Sequence, residues 1–78
     1  MKFKPLETVV LDRDLPEHGL RKGDLGAAGE IFEPRALEVE FVLADGTTGA
    51  LLTLHESDVR ALASTDLGAV RPFTRRPA

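Results

Sequence analysis

The sequence has 78 residues, which is enough for one small domain and leaves no room for a second hydrophobic core. It contains no cysteine, so disulfides and thiolate metal sites are excluded. The net charge of −3 is uneven, because residues 1–70 carry −6 and residues 71–78 carry +3, and an acidic body disfavours binding to nucleic acid.

Two features of the sequence bear on where the protein lies in the cell. Residues 1–7 lack the apolar core of a signal peptide. The longest apolar stretch, at residues 49–52, is too short to cross a bilayer. We therefore expect a cytoplasmic protein with no membrane contact.

Glycine and proline recur every eight to twelve residues or so, a spacing typical of all-β barrels and sandwiches. The first strand is predicted at Thr8–Leu11, a short β-branched run. A loop with one helical turn is predicted from residue 12 to residue 19, followed by a turn at Lys22-Gly23-Asp24. The second strand is predicted at Leu25–Phe32.

The second strand is poor in side-chain bulk, since it contains the run Gly26-Ala27-Ala28-Gly29. Glycine inside a strand often marks a bulge, a bend or a close approach of another chain segment. Small barrels need such bends to turn their corners. We interpret these glycines as part of the architecture and not as ligand contacts.

The clearest strand signal is Leu37–Phe41, where apolar and acidic residues alternate with a period of two. Its three apolar residues are predicted to face the core, and Glu38 and Glu40 to face solvent. Asp45-Gly46 then predicts a hairpin that leads into a fourth strand at Thr48–Leu54.

Residues 55–58 are predicted to form one 3₁₀ turn, and Val59–Leu62 the fifth strand. The alternative is a short helix over residues 55–63, capped near Ser57, which would give an α+β fold. Five strands with a 3₁₀ turn before the last one predict a small all-β, SH3-like barrel. We expect this barrel to span residues 1–66.

Residues 67–78 are predicted to form a flexible or docking basic tail, because the strand periodicity ends near Ala63. The apolar residues Leu67, Val70 and Phe73 would let the tail dock on the barrel or on a second subunit. A homodimer is therefore a further prediction, with the basic tail of one subunit on an acidic surface of the other.

The sequence contains only weak candidates for a catalytic site or a metal-binding site. His55, Ser57 and Asp58 are close together, but no nucleophile motif surrounds Ser57, and we interpret Ser57 or Asp58 as capping the 3₁₀ turn. Two histidines without cysteine do not make a usual structural zinc site. We expect no enzymatic activity, no metal site and no cofactor.

An acidic wall would form from Glu30, Glu38 and Glu40 if the second and third strands pair. Such a wall on an open sheet is a charged surface that suits a basic partner and discourages aggregation between sheet edges. The candidate partner-binding residues come from this wall, from the first long loop and from the tail: Glu17, His18, Glu30, Glu38, Glu40, Arg71, Arg75 and Arg76.

Several segments, taken together, resemble a family of short prokaryotic proteins classed as a domain of unknown function. The segments are residues 15–26, Leu37–Phe41, Asp45-Gly46, Leu52–Leu54 and Asp58–Arg60. The resemblance covers about residues 3–62 and implies an SH3-like barrel. The element Lys22-Gly23-Asp24-x-Gly26 is also similar to the opening motif of KOW and Tudor barrels, and to the SH3-like domain of nitrile hydratase β subunits.

The family resemblance also implies a function, because genes of this kind often lie beside genes for small partner proteins, some of toxin–antitoxin type. We therefore expect a non-enzymatic protein-binding module, an accessory or antitoxin-like subunit for a neighbouring gene product. Its protein partner is unidentified. The alternative is a KOW-like barrel that binds nucleic acid through Arg21, Lys22 and the tail arginines.

Overall fold

A computed structural model describes residues 1–67 and 71–74 of the chain. Its five strands are β1 (Thr8–Leu11), β2 (Leu25–Phe32), β3 (Ala36–Val42), β4 (Thr48–His55) and β5 (Val59–Ala61). Two 3₁₀ turns lie at Pro16–His18 and Glu56–Asp58. In the described part of the chain no helix has the length and apolarity needed to span a membrane.

The strands form one antiparallel sheet in the order β4-β3-β2-β1-β5. The predicted all-β fold with a 3₁₀ turn before the last strand is confirmed, and the arrangement is compatible with an SH3-like barrel. The sheet is not closed, because β4 and β5 are its two edges. The alternative of a helix over residues 55–63 is wrong, since the chain makes a single 3₁₀ turn and continues as β5.

The alternation in β3 determines which side of the sheet is buried. Leu37 and Val39 are fully buried and Phe41 is nearly so, while Glu38 and Glu40 on the opposite side are half-buried. A strand that exposes every second residue must bury one side only, so the predicted orientation is confirmed. Burial of these three side chains against both neighbouring strands fixes the register of β3.

The core draws on every strand and on the loops. Its largest fully buried side chains are Leu11, Leu15, Leu37, Val9 and Val39. Around them lie Phe3, Leu20, Ala28, Phe41, Leu54 and Val59, with Ile31, Leu52 and Phe73 partly buried against the cluster. The loop between β1 and β2 is therefore part of the packed structure, since it supplies two core leucines that pair as an isolated bridge, Leu15 with Leu20.

The strand β2 has few large side chains because β3 packs closely against it. A Cβ atom at Gly26 would lie 2.6 Å from Cγ1 of Val39 and 3.0 Å from Cε1 of Phe41, so only glycine lets the strands pack this closely. Farther along, the pairing shifts between Ala28 and Ile31, which marks a β-bulge. The interpretation of these glycines as architectural is confirmed by both features.

Both turns that the sequence predicts have a glycine at positive φ. Gly23 precedes β2 with φ +99°, and Gly46 lies in the β3–β4 hairpin with φ +87°. Nothing obstructs a side chain at either position, so the backbone conformation alone is the reason for glycine there.

Candidate functional site

The acidic wall lies on the solvent side of β2 and β3, and we define it by Glu30, Glu38 and Glu40. Glu40 is opposite Ala27 of β2, and the bulge in β2 sets Gly29 and Glu30 against Glu38. A Cβ at Gly29 would lie 2.7 Å from Oε1 of Glu38, so the Glu38 carboxylate extends over the bare backbone of β2. The structure thus brings the three glutamates to one side of the sheet.

Exposed apolar side chains border the acidic wall. Leu51 of β4 is directly opposite Glu40 and is 54% exposed. Phe32 near the end of the bulged strand is 38% exposed, and Leu25 and Val42 at the other end of the same sheet are 42% and 50% exposed. We call the acidic wall and these four apolar residues the outer face. It combines negative charge with apolar area that the described chain leaves uncovered.

A side-chain hydrogen bond joins β3 and β4 on the outer face. The hydroxyl of Thr48 donates to Oε2 of Glu40, which ties the start of β4 to the middle of β3. Thr53 is opposite Glu38 on β4 and is exposed. Three carboxylates on one side of the sheet make a negatively charged surface, and such a surface attracts cations.

The predicted residues Glu17 and His18 lie in a loop and not on the strands that carry the outer face. Both side chains are exposed on the first 3₁₀ turn, within the loop between β1 and β2. The backbone there is fixed by the Leu15–Leu20 bridge and by the amide of Lys22, which donates to Oδ1 of Asp14 at 2.8 Å. Hydrogen bonds thus hold the backbone of the loop that carries Glu17 and His18, and this loop is a different segment from the strands that carry the wall glutamates.

The tail residue Arg71 contacts the start of β2. Its Nε donates to Oδ1 of Asp24 at 2.9 Å, and its Nη2 donates both to Oδ2 of Asp24 and to the carbonyl of Gly19 at 3.1 Å. Arg71 is thus engaged within its own chain and not with the acidic wall. Arg75 and Arg76, the other two predicted tail residues, lie outside the described residues.

Burial by itself would raise the pKa of Asp24, but other contacts outweigh it. Hydrogen bonds from the Arg71 side chain and from the Arg21 backbone, together with the positive charges of both arginines, hold the pKa of this carboxyl below its ordinary value. The pairing in turn raises the pKa of Arg71. Sequence reasoning missed this pair, since nothing local relates two residues 47 positions apart.

A groove of roughly 620 Å³ lies beside the Asp24–Arg71 pair. It runs between the end of the β1–β2 loop and the β3–β4 hairpin. Its lining includes Leu20, Asp24, Leu25, Phe41, Val42 and Leu43, and Arg71 and Phe73 of the tail border it. Most of these side chains are apolar, and Asp24 supplies a carboxylate.

The cluster of His55, Ser57 and Asp58 is a capping arrangement. The amide of Ser57 donates to Nδ1 of His55 at 3.1 Å, the amide of His55 donates to Oδ2 of Asp58 at 3.0 Å, and Arg13 pairs with Oδ1 of Asp58 at 2.7 Å. The capping interpretation is confirmed for Asp58, while the second cap is the ring of His55 and not Ser57. The Ser57 hydroxyl also lies 2.8 Å from Nδ1 of His55, so this nitrogen is engaged in hydrogen bonds within the turn.

A carboxylate lies near each of two basic residues of the β1–β2 loop, Arg21 and Lys22. The amide of Arg21 donates to Asp24, and Nζ of Lys22 lies 4.0 Å from Oδ1 of Asp12. Negative charge beside Arg21 and Lys22 disfavours a phosphate backbone at this position. Within residues 1–67 and 71–74, no group of three or more histidine, aspartate or glutamate side chains is arranged to hold a metal ion.

A family described as "Domain of unknown function (DUF4926)" matches residues 6–61. The matched segment contains all five strands, the acidic wall and most of the groove lining. No curated protein and no solved structure matches the chain. Since the matched segment is more than half of the sequence, the chain belongs to the DUF4926 family of domains of unknown function.

Proposed function

We propose that this protein is a non-enzymatic protein-binding module whose outer face binds a basic partner. The observation that carries the proposal is the combination of three glutamates and four exposed apolar side chains on one side of the sheet. Apolar contacts supply most of the affinity of a protein interface, and complementary charge supplies orientation and speed of association.

Charge complementarity defines the chemistry of the partner. Residues 1–70 carry a net −6, and the three wall glutamates concentrate part of that charge on β2 and β3. A partner with lysines or arginines around an apolar patch would pair with the wall and cover Phe32 and Leu51. A neutral or acidic partner would leave desolvated carboxylates without counter-charges, which is costly.

The family resemblance suggests where such a partner is encoded. We propose that the partner is the product of a neighbouring gene and that this chain is its accessory or antitoxin-like subunit, acting in the cytoplasm. Neutralising subunits of this kind cover a functional surface of the partner, so a binding module without chemistry of its own suffices for the role.

Co-purification with the neighbouring gene product tests the proposal. The variant E30K/E38K reverses two charges on the acidic wall, and E17K/E56K makes the same change in net charge at two positions off the wall. We expect the wild type and E17K/E56K to retain the partner and E30K/E38K to lose it. Equal retention by both variants, or no complex with the wild type, would contradict the proposal.

A nucleic-acid shift assay separates this proposal from the KOW-like alternative. Because Asp12 and Asp24 lie beside the loop cations, we expect no shift of RNA or duplex DNA at micromolar protein in low salt. A shift that weakens with added salt and disappears in the variant R21A/K22A would favour the nucleic-acid function instead.

A further inference from the structure

The two edges of the sheet differ in how they are protected. Edge strands present unpaired backbone groups to other chains, and proteins usually protect them by charges, prolines or short length. The edge strand β5 has three residues, and the guanidinium of its Arg60 donates to the carbonyl of Ala61 and to Asp66. The edge strand β4 has eight residues, and it contains no charged residue and no proline from Thr48 to Leu54. The β4 edge therefore lacks these three protections.

The direction of the backbone groups along β4 follows from its last residue. In an antiparallel pair, every second residue forms hydrogen bonds with the neighbouring strand, and the residues between them point the other way. The amide of His55 donates to Oδ2 of Asp58 at 3.0 Å and not to β3. By this alternation, the N–H and C=O groups of Thr53 and Leu51 also point away from β3. Within the described part of the chain, no hydrogen bond engages these outward groups.

The side chains at the centre of this edge are neutral. Leu51 and Thr53 are exposed on the outer side of the sheet, and Leu52 between them is partly buried against the core. A basic strand from another protein would find no carboxylate on β4 itself. A second copy of β4 brings a neutral strand of the same length, so neither strand repels the other by charge.

We propose that β4 pairs antiparallel with β4 of a second copy of this chain and joins the two five-stranded sheets into one. A two-fold axis at Leu52 places Leu51 of each copy opposite Thr53 of the other. In this register both N–H groups and both C=O groups of each edge have partners. Such an interface is isologous and closes at the dimer, since each copy uses the same strand.

The negative charge of the two copies does not oppose this pairing strongly. Glu38 and Glu40 lie on β3, one strand away from the edge. The β3 strands of the two copies would be three strand spacings apart, which is roughly 14 Å. Because the Debye length is about 8 Å at physiological ionic strength, most of the repulsion at that distance is screened.

The size of the domain also favours a second copy. A chain of 78 residues forms a small core, and oligomerisation is one of the ways in which small proteins gain stability. The pairing uses backbone groups of β4 and leaves the side chains of the acidic wall uncovered. The inference therefore does not depend on the function proposed above.

Analytical ultracentrifugation of the chain alone, from about 10 μM to about 1 mM, tests the proposal. Thr53→Pro removes an outward N–H group from each copy and keeps every N–H group that bonds to β3. Edge strands tolerate proline at such positions. We expect the wild type to form a dimer, and T53P to raise the dimer dissociation constant at least about tenfold, because two hydrogen bonds are lost.

A proline at the other edge of the sheet is the matched control. The amide of Asp12 donates to the carbonyl of Asp58, so the same alternation directs Arg60 toward β1 and Ala61 toward the open edge. Ala61→Pro thus removes an outward N–H group from β5. We expect A61P to dimerise as the wild type does.

Hydrogen exchange of the wild type is a second measurement, which decides the question if circular dichroism shows that T53P is unfolded. The amides of Leu51 and Thr53 should exchange at least about tenfold more slowly at 1 mM than at 10 μM, whereas the amide of Ala61 should not respond to concentration. A wild type that stays monomeric up to 1 mM would overturn the proposal. So would a dimer in which the exchange of Leu51 and Thr53 is independent of concentration, as expected for pairing through the tail.

Discussion

The guanidinium of Arg71 and the carboxylate of Asp24 form a bidentate pair across 47 positions of sequence. The pair attaches the described tail residues to the turn that begins β2. Local sequence patterns determine the strands of this protein, but this contact joins two segments that share no secondary structure. It also places Arg71 of the tail on the β1–β2 loop of the same chain. The docking of the tail on a second subunit and the homodimer stay predictions.

Replacing Asp24 by asparagine should lower the free energy of unfolding at pH 7 by about 1 kcal/mol, a value reduced by partial solvent screening of the pair. The asparagine keeps the shape of the side chain but loses the charge that Arg71 binds. Urea denaturation measures the difference, with E17Q as a control that removes a carboxylate with an exposed side chain.

The effect of D24N should also depend on pH. The pKa of Asp24 is lower in the folded state than its ordinary value of 3.8, so its stabilising effect is present above that pH and is lost as the pH falls through the folded value. The difference between wild type and D24N should therefore shrink in acid. A difference that stays constant down to about pH 2 would contradict the assigned interaction.

Asp66 should titrate well below a normal aspartate. Hydrogen bonds from the Arg60 side chain and then from the amide of Ala63 lower the pKa of Asp66 to about 2. NMR titration of the carboxyl carbon should give that value in the wild type and a value closer to 3.8 in R60A. An unchanged midpoint in R60A would show that the ion pair does not form in solution.

Two glycines of β2 should respond differently to alanine. Gly26→Ala should destabilise the protein by about 1–3 kcal/mol, because the new methyl group would overlap Val39 in the core. Gly29→Ala should cost less than about 0.5 kcal/mol, since the atom it meets is the flexible end of Glu38. Thermal denaturation compares the two, and equal losses would contradict the packing described for β2.

The cap of the second 3₁₀ turn is tested by two substitutions at Asp58. Asp58→Ala removes the acceptor for the amide of His55 and should lower the free energy of unfolding by about 1 kcal/mol. Asp58→Asn keeps an oxygen in the same place and should lose less, although its pair with Arg13 is weakened. Chemical denaturation of both variants measures this, and a larger loss for asparagine would rule out the cap.

Most of the fold was predictable because its signals are local. The alternation at Leu37–Phe41 indicates which side of β3 is buried, and Asp45-Gly46 predicts a tight hairpin. The interpretation of the β2 glycines as architectural is correct, yet the reason for Gly26, which is contact with Val39 and Phe41, depends on the register of two strands. Sequence alone does not contain that register.

The candidate site was only partly predictable. The alternation in β3 places Glu38 and Glu40 on one side of the strand, so the acidic wall could be anticipated on the condition that β2 and β3 pair. To predict that Leu51 lies beside Glu40, one needs the register of β4. To predict the Asp24–Arg71 pair, one needs the path of the tail. His55 was missed as a cap because a histidine ring is an uncommon acceptor for backbone amides at a turn.

The most direct test of the proposed function is NMR mapping of the labelled chain with the neighbouring gene product. We expect the largest amide shifts at the outer face, around Glu30, Glu38, Glu40 and Leu51, with small changes at Glu17 on the first 3₁₀ turn. Shifts concentrated on the β1–β2 loop or on β5, with the outer face unchanged, would contradict the account.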